Sequence, residues 1–333
     1  MNHIDVKNIK TQYGYDETYW IIDGVSLPIL LNLQVKDTED DYIKSFIKSF
    51  DGLCPAWDMD LEWWGEVRFV WKLIDMDSVP LPLLLCPEDA DFSCIVIVAD
   101  VEKTKDFVYW NRIGYVLHDN EDFETEKESG ILSLENYSDE DWEKYGDNIA
   151  TEKVDSEEWV KWIGENWDEE VYRRRMNYTL PYYKEEGNVK WFVQPEWVFD
   201  RHEYECMVDR FKTMQRKEYL NHLNNSDIEK IDIDKCAEIL AKVLPNGEAL
   251  LKEHNRKYGE VLLHVLASEM ITEPLIKLME HSDKNTSLIE LYFSTIKFMW
   301  NHGNDDVVNV VEVTILERLT DAQIEIKLER RLI

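Results

Sequence analysis

The sequence predicts an α+β protein: an antiparallel sheet with flanking helices over residues 1–220, then a small all-α domain over residues 221–333. Three observations carry this expectation. A chain of 333 residues exceeds what one hydrophobic core commonly holds, so two domains are expected. The first 220 residues mix short β-rich runs with helical stripes. From Asn221 onward helix start and stop signals become regular, and Trp300 is the only one of thirteen tryptophans left.

Taken in order, residues 19–22 and 27–33 flank Asp23-Gly24, a favourable turn dipeptide. Residues 40–50 place Tyr42, Ile43, Phe46, Ile47 and Phe50 on one helical stripe. The aromatic and β-branched run 61–74 has the composition strands prefer, with Trp63, Trp64 and Trp71 as core candidates. Residues 81–86, 94–101 and 107–116 predict three successive strands of an antiparallel meander, the first bracketed by Pro80, Pro82 and Pro87. Serines before carboxylates at 138–141 and 156–158 mark helix starts. Val171, Tyr172 and Arg175 keep helical spacing, and residues 191–199 predict a returning strand interrupted by Pro195. A linker is expected at 224–227. Helices are then expected over 235–244, 248–258, 260–270, from Thr272 and Pro274 to about 281, from Asn285 or Thr286 to 302, and from an Asp305 cap to 319. The β-branched run 307–315 competes for a strand, but it lacks strict alternation.

Charge sets the expected partners. The net charge is −32, and the segment 119–170 alone holds twenty acidic side chains against four lysines. Trp142, Trp159, Trp162 and Trp167 lie within it. Disordered acidic chains are poor in aromatics, so a composition of 12% aromatics predicts folding. Nucleic acids and anionic lipids repel such a chain, because binding to them relies on Lys and Arg meeting phosphate. Arg173-Arg174-Arg175 is the one basic cluster of note, and Asp168, Glu169 and Glu170 directly before it predict internal pairing. Residues 1–10 contain no apolar stretch of signal-peptide length, and the apolar runs are too short to span a bilayer. Five scattered cysteines fit reduced thiols in the cytoplasm.

Three phrases, PLLLCPEDADFSCIVIVADV (82–101), DFVYWNRIG (106–114) and NVVEVTILERL (309–319), together resemble an uncharacterised bacterial family. That family has an α+β front half and a small helical C-terminal domain. Helical domains of this kind occur among the immunity proteins of polymorphic toxin systems. The resemblance implies a toxin-neutralising context and assigns no site residue.

Candidate chemistry is sparse. Cys86 and Cys94 enclose Glu88, Asp89 and Asp91, so Cys86, Asp89, Asp91 and Cys94 form a weak metal candidate for a hydrolytic reading that would also draw on His118. The spacing is wrong for a zinc knuckle, and the bland expectation is buried cysteines beside an acidic hairpin loop. His254 and His264 are too far apart for a helical metal pair, and His264, inside an apolar run, is expected as a hydrogen-bonded core residue. No Gly-x-Ser-x-Gly elbow or phosphate-binding glycine loop is present, so neither a catalytic set nor a cofactor is expected. The leading expectation is a binding protein for a basic effector. Asp139, Glu140, Asp141, Glu157, Glu158, Asp168, Glu169 and Glu170 would steer the partner, and Trp159 and Trp162 would anchor it. A scaffold or dimerisation role for the helical region is the remaining alternative.

Overall fold

The computed structural model describes residues 1–11, 14, 16–36, 43, 50–88, 90–92, 94–117, 157, 161, 164–226, 229–280 and 286–321. Antiparallel sheets with helices are followed by a mostly helical region, as the sequence predicts. The chain divides into two compact units, Met1–Val208 and Asp209–Ile333. The division falls inside the helix Arg201–Asn225 and not at the expected boundary of 220/221. Asn224 and Asn225 end that helix and are not a linker. Tyr204 and Met207 are buried in the first unit and Leu220 in the second, so one unbroken helix serves two cores and no composition shift marks the change.

The first unit opens with an antiparallel sheet of β1 (Ile4–Lys10), β2 (Asp16–Ile22) and β3 (Val25–Ser26). Asp23 (φ 50°) and Gly24 (φ 85°) form the expected turn between β2 and β3, both left-handed as a tight hairpin requires. The Asp23 carboxylate accepts from the Asn2 side-chain amide at 2.7 Å and from the His3 backbone at 2.8 Å. The N-terminal residues also meet the far end of the unit. Asn2 N–H donates to the Val198 carbonyl at 2.7 Å, Ile4 N–H donates to Glu203 at 3.1 Å, and His3 pairs with Glu203.

Residues 27–33 are not a strand. They belong to α1 (Leu27–Val35), which starts with Pro28 in its first turn and buries Leu27, Leu31 and Val35. That spacing of four has no strand alternation, and proline is well suited to the first helical turn. Of the stripe expected over 40–50, only Ile43 and Phe50 are described, and both are buried. The rest lies outside the described residues.

The run 61–74 is likewise a helix, α2 (Trp64–Ile74). Its aromatic, β-branched composition resembles a strand, but Val67, Val70, Leu73 and Ile74 are buried at three- and four-residue spacing. Trp63 and Trp64 are half-buried and Trp71 donates its indole N–H to the Trp57 carbonyl at 3.0 Å.

The second sheet runs β4 (Cys54–Pro55), β5 (Ser78–Leu85), β6 (Val96–Lys103), β7 (Phe107–Val116) and β8 (Val189–Val193), and β9 (Trp197–Asp200) also pairs with β7. The meander β5–β6–β7 is antiparallel throughout, as expected. The strand predicted over 191–199 is two strands on one edge of β7. β8 pairs with Ile113–Val116 and β9 with Phe107–Trp110. Pro195, which lacks a donor, lies in the gap beside Glu196 at φ 50°. Trp20 of β2, Trp57 and Trp110 of β7 are fully buried and meet edge to face, with centroids at 4.7 Å and 6.4 Å, so both sheets share one aromatic core.

Between β7 and β8 lies α3 (Trp167–Arg174), which continues through a π turn (Arg175–Thr179) into Leu180–Lys184. It packs on α2 at Gly65, whose absent side chain permits the approach. The helix α4 (Arg201–Asn225) follows β9.

The second unit is helical: α5 (Ile233–Val243), α6 (Gly247–Tyr258), α7 (263–280), α8 (Thr286–His302) and α9 (305–321) among the described residues. The two helices expected over 260–270 and from Thr272 are one, α7, built from Leu263–Ala267, a π turn (Ser268–Thr272) and Glu273–Glu280. The π turn sits where Pro274 withholds a helical N–H, which explains why the helix continues through the proline. The last helix, α9, joins Asp305–Val310, a second such turn (Val311–Leu316) and Glu317–Asp321. Its β-branched run stays helical because Val307, Val310, Val311 and Ile315 pack into the unit's core. The cap is Asn304, not Asp305: its side chain accepts from Val307 N–H at 3.0 Å. Asn304→Ala is expected to cost about 1 kcal/mol, read as faster amide exchange at Val307 with little change elsewhere.

Candidate functional site

Two polar features stand out in the first unit. One is the junction of α2 and α3. Glu66 is fully buried on α2 and accepts twice from Arg175 on its Oε1, from Nη2 at 2.7 Å and from Nε at 3.1 Å. Arg175 opens the π turn, a helix irregularity that often marks functional positions. One turn earlier, Glu170 is 2% exposed and holds both Arg173 and Arg174, the latter at 2.8 Å. Arg68 binds Glu169 at 2.7 Å, and Asp168 accepts from the Trp64 backbone at 3.1 Å. Trp167 stacks edge-on against Trp63 at 5.7 Å and lies 5.0 Å from the Arg174 guanidinium.

Burial pushes the Glu66 carboxyl up to about 7, with the nearby Asp91 charge adding to the rise; Arg175 and the Phe92 backbone amide oppose it and are outweighed. Tyr183, wholly enclosed nearby, has its phenol pushed well above its usual range, by burial first.

The second feature is a cleft of about 620 Å³ at the end of the second sheet, with Tyr19, Leu53, Cys54, Cys86, Cys94 and Glu88 among its lining residues. The strand pairing explains why three cysteines converge. Cys54 on β4 lies opposite Leu85 on β5, and Cys86 N–H donates to the Ile95 carbonyl at 3.1 Å, beside Cys94. The Cys54 thiol is raised far above its ordinary value, by burial first and then by the Asp58 and Glu17 carboxylates.

Several expected site residues move. Asp168, Glu169 and Glu170 turn toward partners inside the unit, because helical geometry brings them against Trp64, Arg68, Arg173 and Arg174. Glu157 is exposed. Asp139, Glu140, Asp141, Glu158, Trp159 and Trp162 lie outside the described residues, as do Trp142, His118 and Asp89. The metal reading of Cys86, Asp91 and Cys94 gains no support: among the described residues no three His, Cys, Asp or Glu groups are placed to hold an ion. The histidine expectation is reversed. His264 is exposed and meets Thr314 at 2.6 Å, whereas His254 is buried and accepts from Leu262 N–H at 3.0 Å, because that nitrogen closes the loop after α6.

Two groups of these features escape sequence reasoning. Glu66 has a local signal, a carboxylate set within the apolar stripe of α2. Cys54 has none, since only the β4–β5 pairing brings it to Cys86.

Residues 236–332 match the family described as a domain of unknown function, DUF7674. No curated protein matches the chain, and no solved structure does. Among the described residues, no helix is long and apolar enough to cross a membrane.

Proposed function

We propose that this protein is an immunity-type binding factor that occludes a basic protein effector with an acidic, tryptophan-bearing surface drawn from residues 119–170. The observation that carries this reading is the fate of the arginine cluster. Arg173 and Arg174 close on Glu170, and Arg175 closes on Glu66. The cluster is therefore committed internally and offers no phosphate-binding patch, while the chain keeps its net charge of −32. Glu170 is enclosed by two of these pairs, while Asp168 and Glu169, half-buried against Trp64 and Arg68, are weaker steering candidates than the carboxylates upstream of them. Asp139, Glu140, Asp141, Glu157 and Glu158 remain as steering groups, with Trp159 and Trp162 as anchors.

Long-range attraction between unlike surfaces accelerates encounter and is screened by salt over roughly 8–10 Å near physiological ionic strength. The test uses the effector recovered by cross-linking in the native cell, then purified. Changing Asp139, Glu140, Asp141 and Glu157 to lysine is expected to slow association about tenfold or more at low salt, with the gap closing as salt rises. An on-rate identical to that of the parent at low salt refutes the reading.

A further inference from the structure

We propose that the thiol-lined cleft at the end of the second sheet is a binding site for an alkylammonium or alkylguanidinium group. Its volume of about 620 Å³ falls within the range of small-ligand pockets, roughly 300–1,000 Å³. Its floor is weakly polar: Leu53 and Cys86 are buried, Cys94 and Ile95 are half-buried. Sulfur and aliphatic carbon suit a methylene stem.

The lining also carries Glu17 and Glu88, and no Lys, Arg or His lies among its described residues. Glu88 is exposed and Glu17 half-buried, so both side chains are open to water at the mouth of the cleft. The Glu17 charge reaches the floor, since it helps raise the Cys54 thiol. A guest with an apolar body and a cationic head satisfies both halves of this arrangement. A neutral alcohol satisfies one half, and a carboxylate is repelled. A soft metal ion does not fit, because the floor lacks a converging ligand set among the described residues.

Two sources carry this chemistry, a free amine and a basic side chain of another protein, and the experiment separates them. The 333-residue chain is titrated by calorimetry with n-hexylammonium, 1-hexanol and a glycine–arginine–glycine tripeptide. Hexylammonium is expected to bind about tenfold tighter than hexanol, the weight of a hydrogen bond to a charged group. Replacing both carboxylates (Glu17→Gln, Glu88→Gln) is expected to erase that preference and leave hexanol binding in place. Bound hexylammonium is expected to slow iodoacetamide alkylation of Cys94 in the parent protein, a readout needing no variant. Competition by the tripeptide identifies a side-chain occupant, and its failure identifies a free amine. Equal affinity for the ammonium and the alcohol, or unprotected Cys94, overturns the proposal. These probes are small molecules, so the outcome is independent of whether the protein effector is found.

Discussion

Replacing Arg175 with methionine is expected to destabilise the first unit by about 3–5 kcal/mol, the loss seen when one partner of a buried ion pair is removed and the other must be neutralised to stay enclosed. Glu66 would then sit fully enclosed with its arginine removed. The double variant Glu66→Leu, Arg175→Met is expected to recover most of that loss, because two apolar side chains of similar volume need neither desolvation nor pairing. The pair also sets a pH dependence. The folded-state pKa of Glu66 is about 7 against an ordinary 4.5, so between these values the folded protein holds a proton that the unfolded chain has released. Its contribution is therefore fully present below pH 4.5 and is lost as pH rises through 7, amounting to about 3 kcal/mol. Urea midpoints of the parent should fall relative to those of Glu66→Gln between about pH 4.5 and pH 7. Parallel curves for the two proteins would remove Glu66 as the titrating group.

A methyl group at position 65 is expected to force α2 and α3 apart. In Gly65→Ala the new Cβ would stand 2.1 Å from the Asp168 carbonyl oxygen, 2.7 Å from the Tyr172 backbone nitrogen and 2.9 Å from the Val171 Cβ. Two of these neighbours are backbone atoms of a helix, which cannot swing aside as a side-chain end does. Overpacking of this kind costs about 3 kcal/mol. It would loosen the Asp168–Trp64 and Arg68–Glu169 contacts together, since all sit on the same seam. Tryptophan fluorescence should shift to the red as the edge-on Trp63–Trp167 contact opens. A Gly65→Ala protein with parental stability and emission would show that the two helices do not approach so closely.

Legibility followed the range of the interaction. The β5–β6–β7 meander and most helices of the second unit were readable because alternation, caps and glycine stops act within a few residues. α1 and α2 misled because composition outweighed periodicity: 61–74 is rich in tryptophan and valine, yet it buries residues at helical spacing. The pairing of Arg173–Arg175 was visible in part. Glu170 lies within a turn of Arg173 and Arg174, but Arg175 reaches Glu66 across 109 residues. The cleft shows the same limit. Cys86 and Cys94 were noticed as neighbours in sequence, whereas Cys54 joins them through a ladder that no local pattern announces.

The ties between the first residues and the end of the first unit bear on how the protein is made. Val198 N–H donates to Asn2 at 3.1 Å across 196 positions, and Ile4 waits on Glu203. At translation speeds of about 5–20 residues per second, the leading hairpin leaves the ribosome on the order of ten seconds or more before its partners do. During that interval Trp20, Ile21 and Ile22, all buried in the finished fold, have no far wall to rest against. Slowing elongation should lower the yield of native protein more than it would for a fold whose sheets close in the order they emerge.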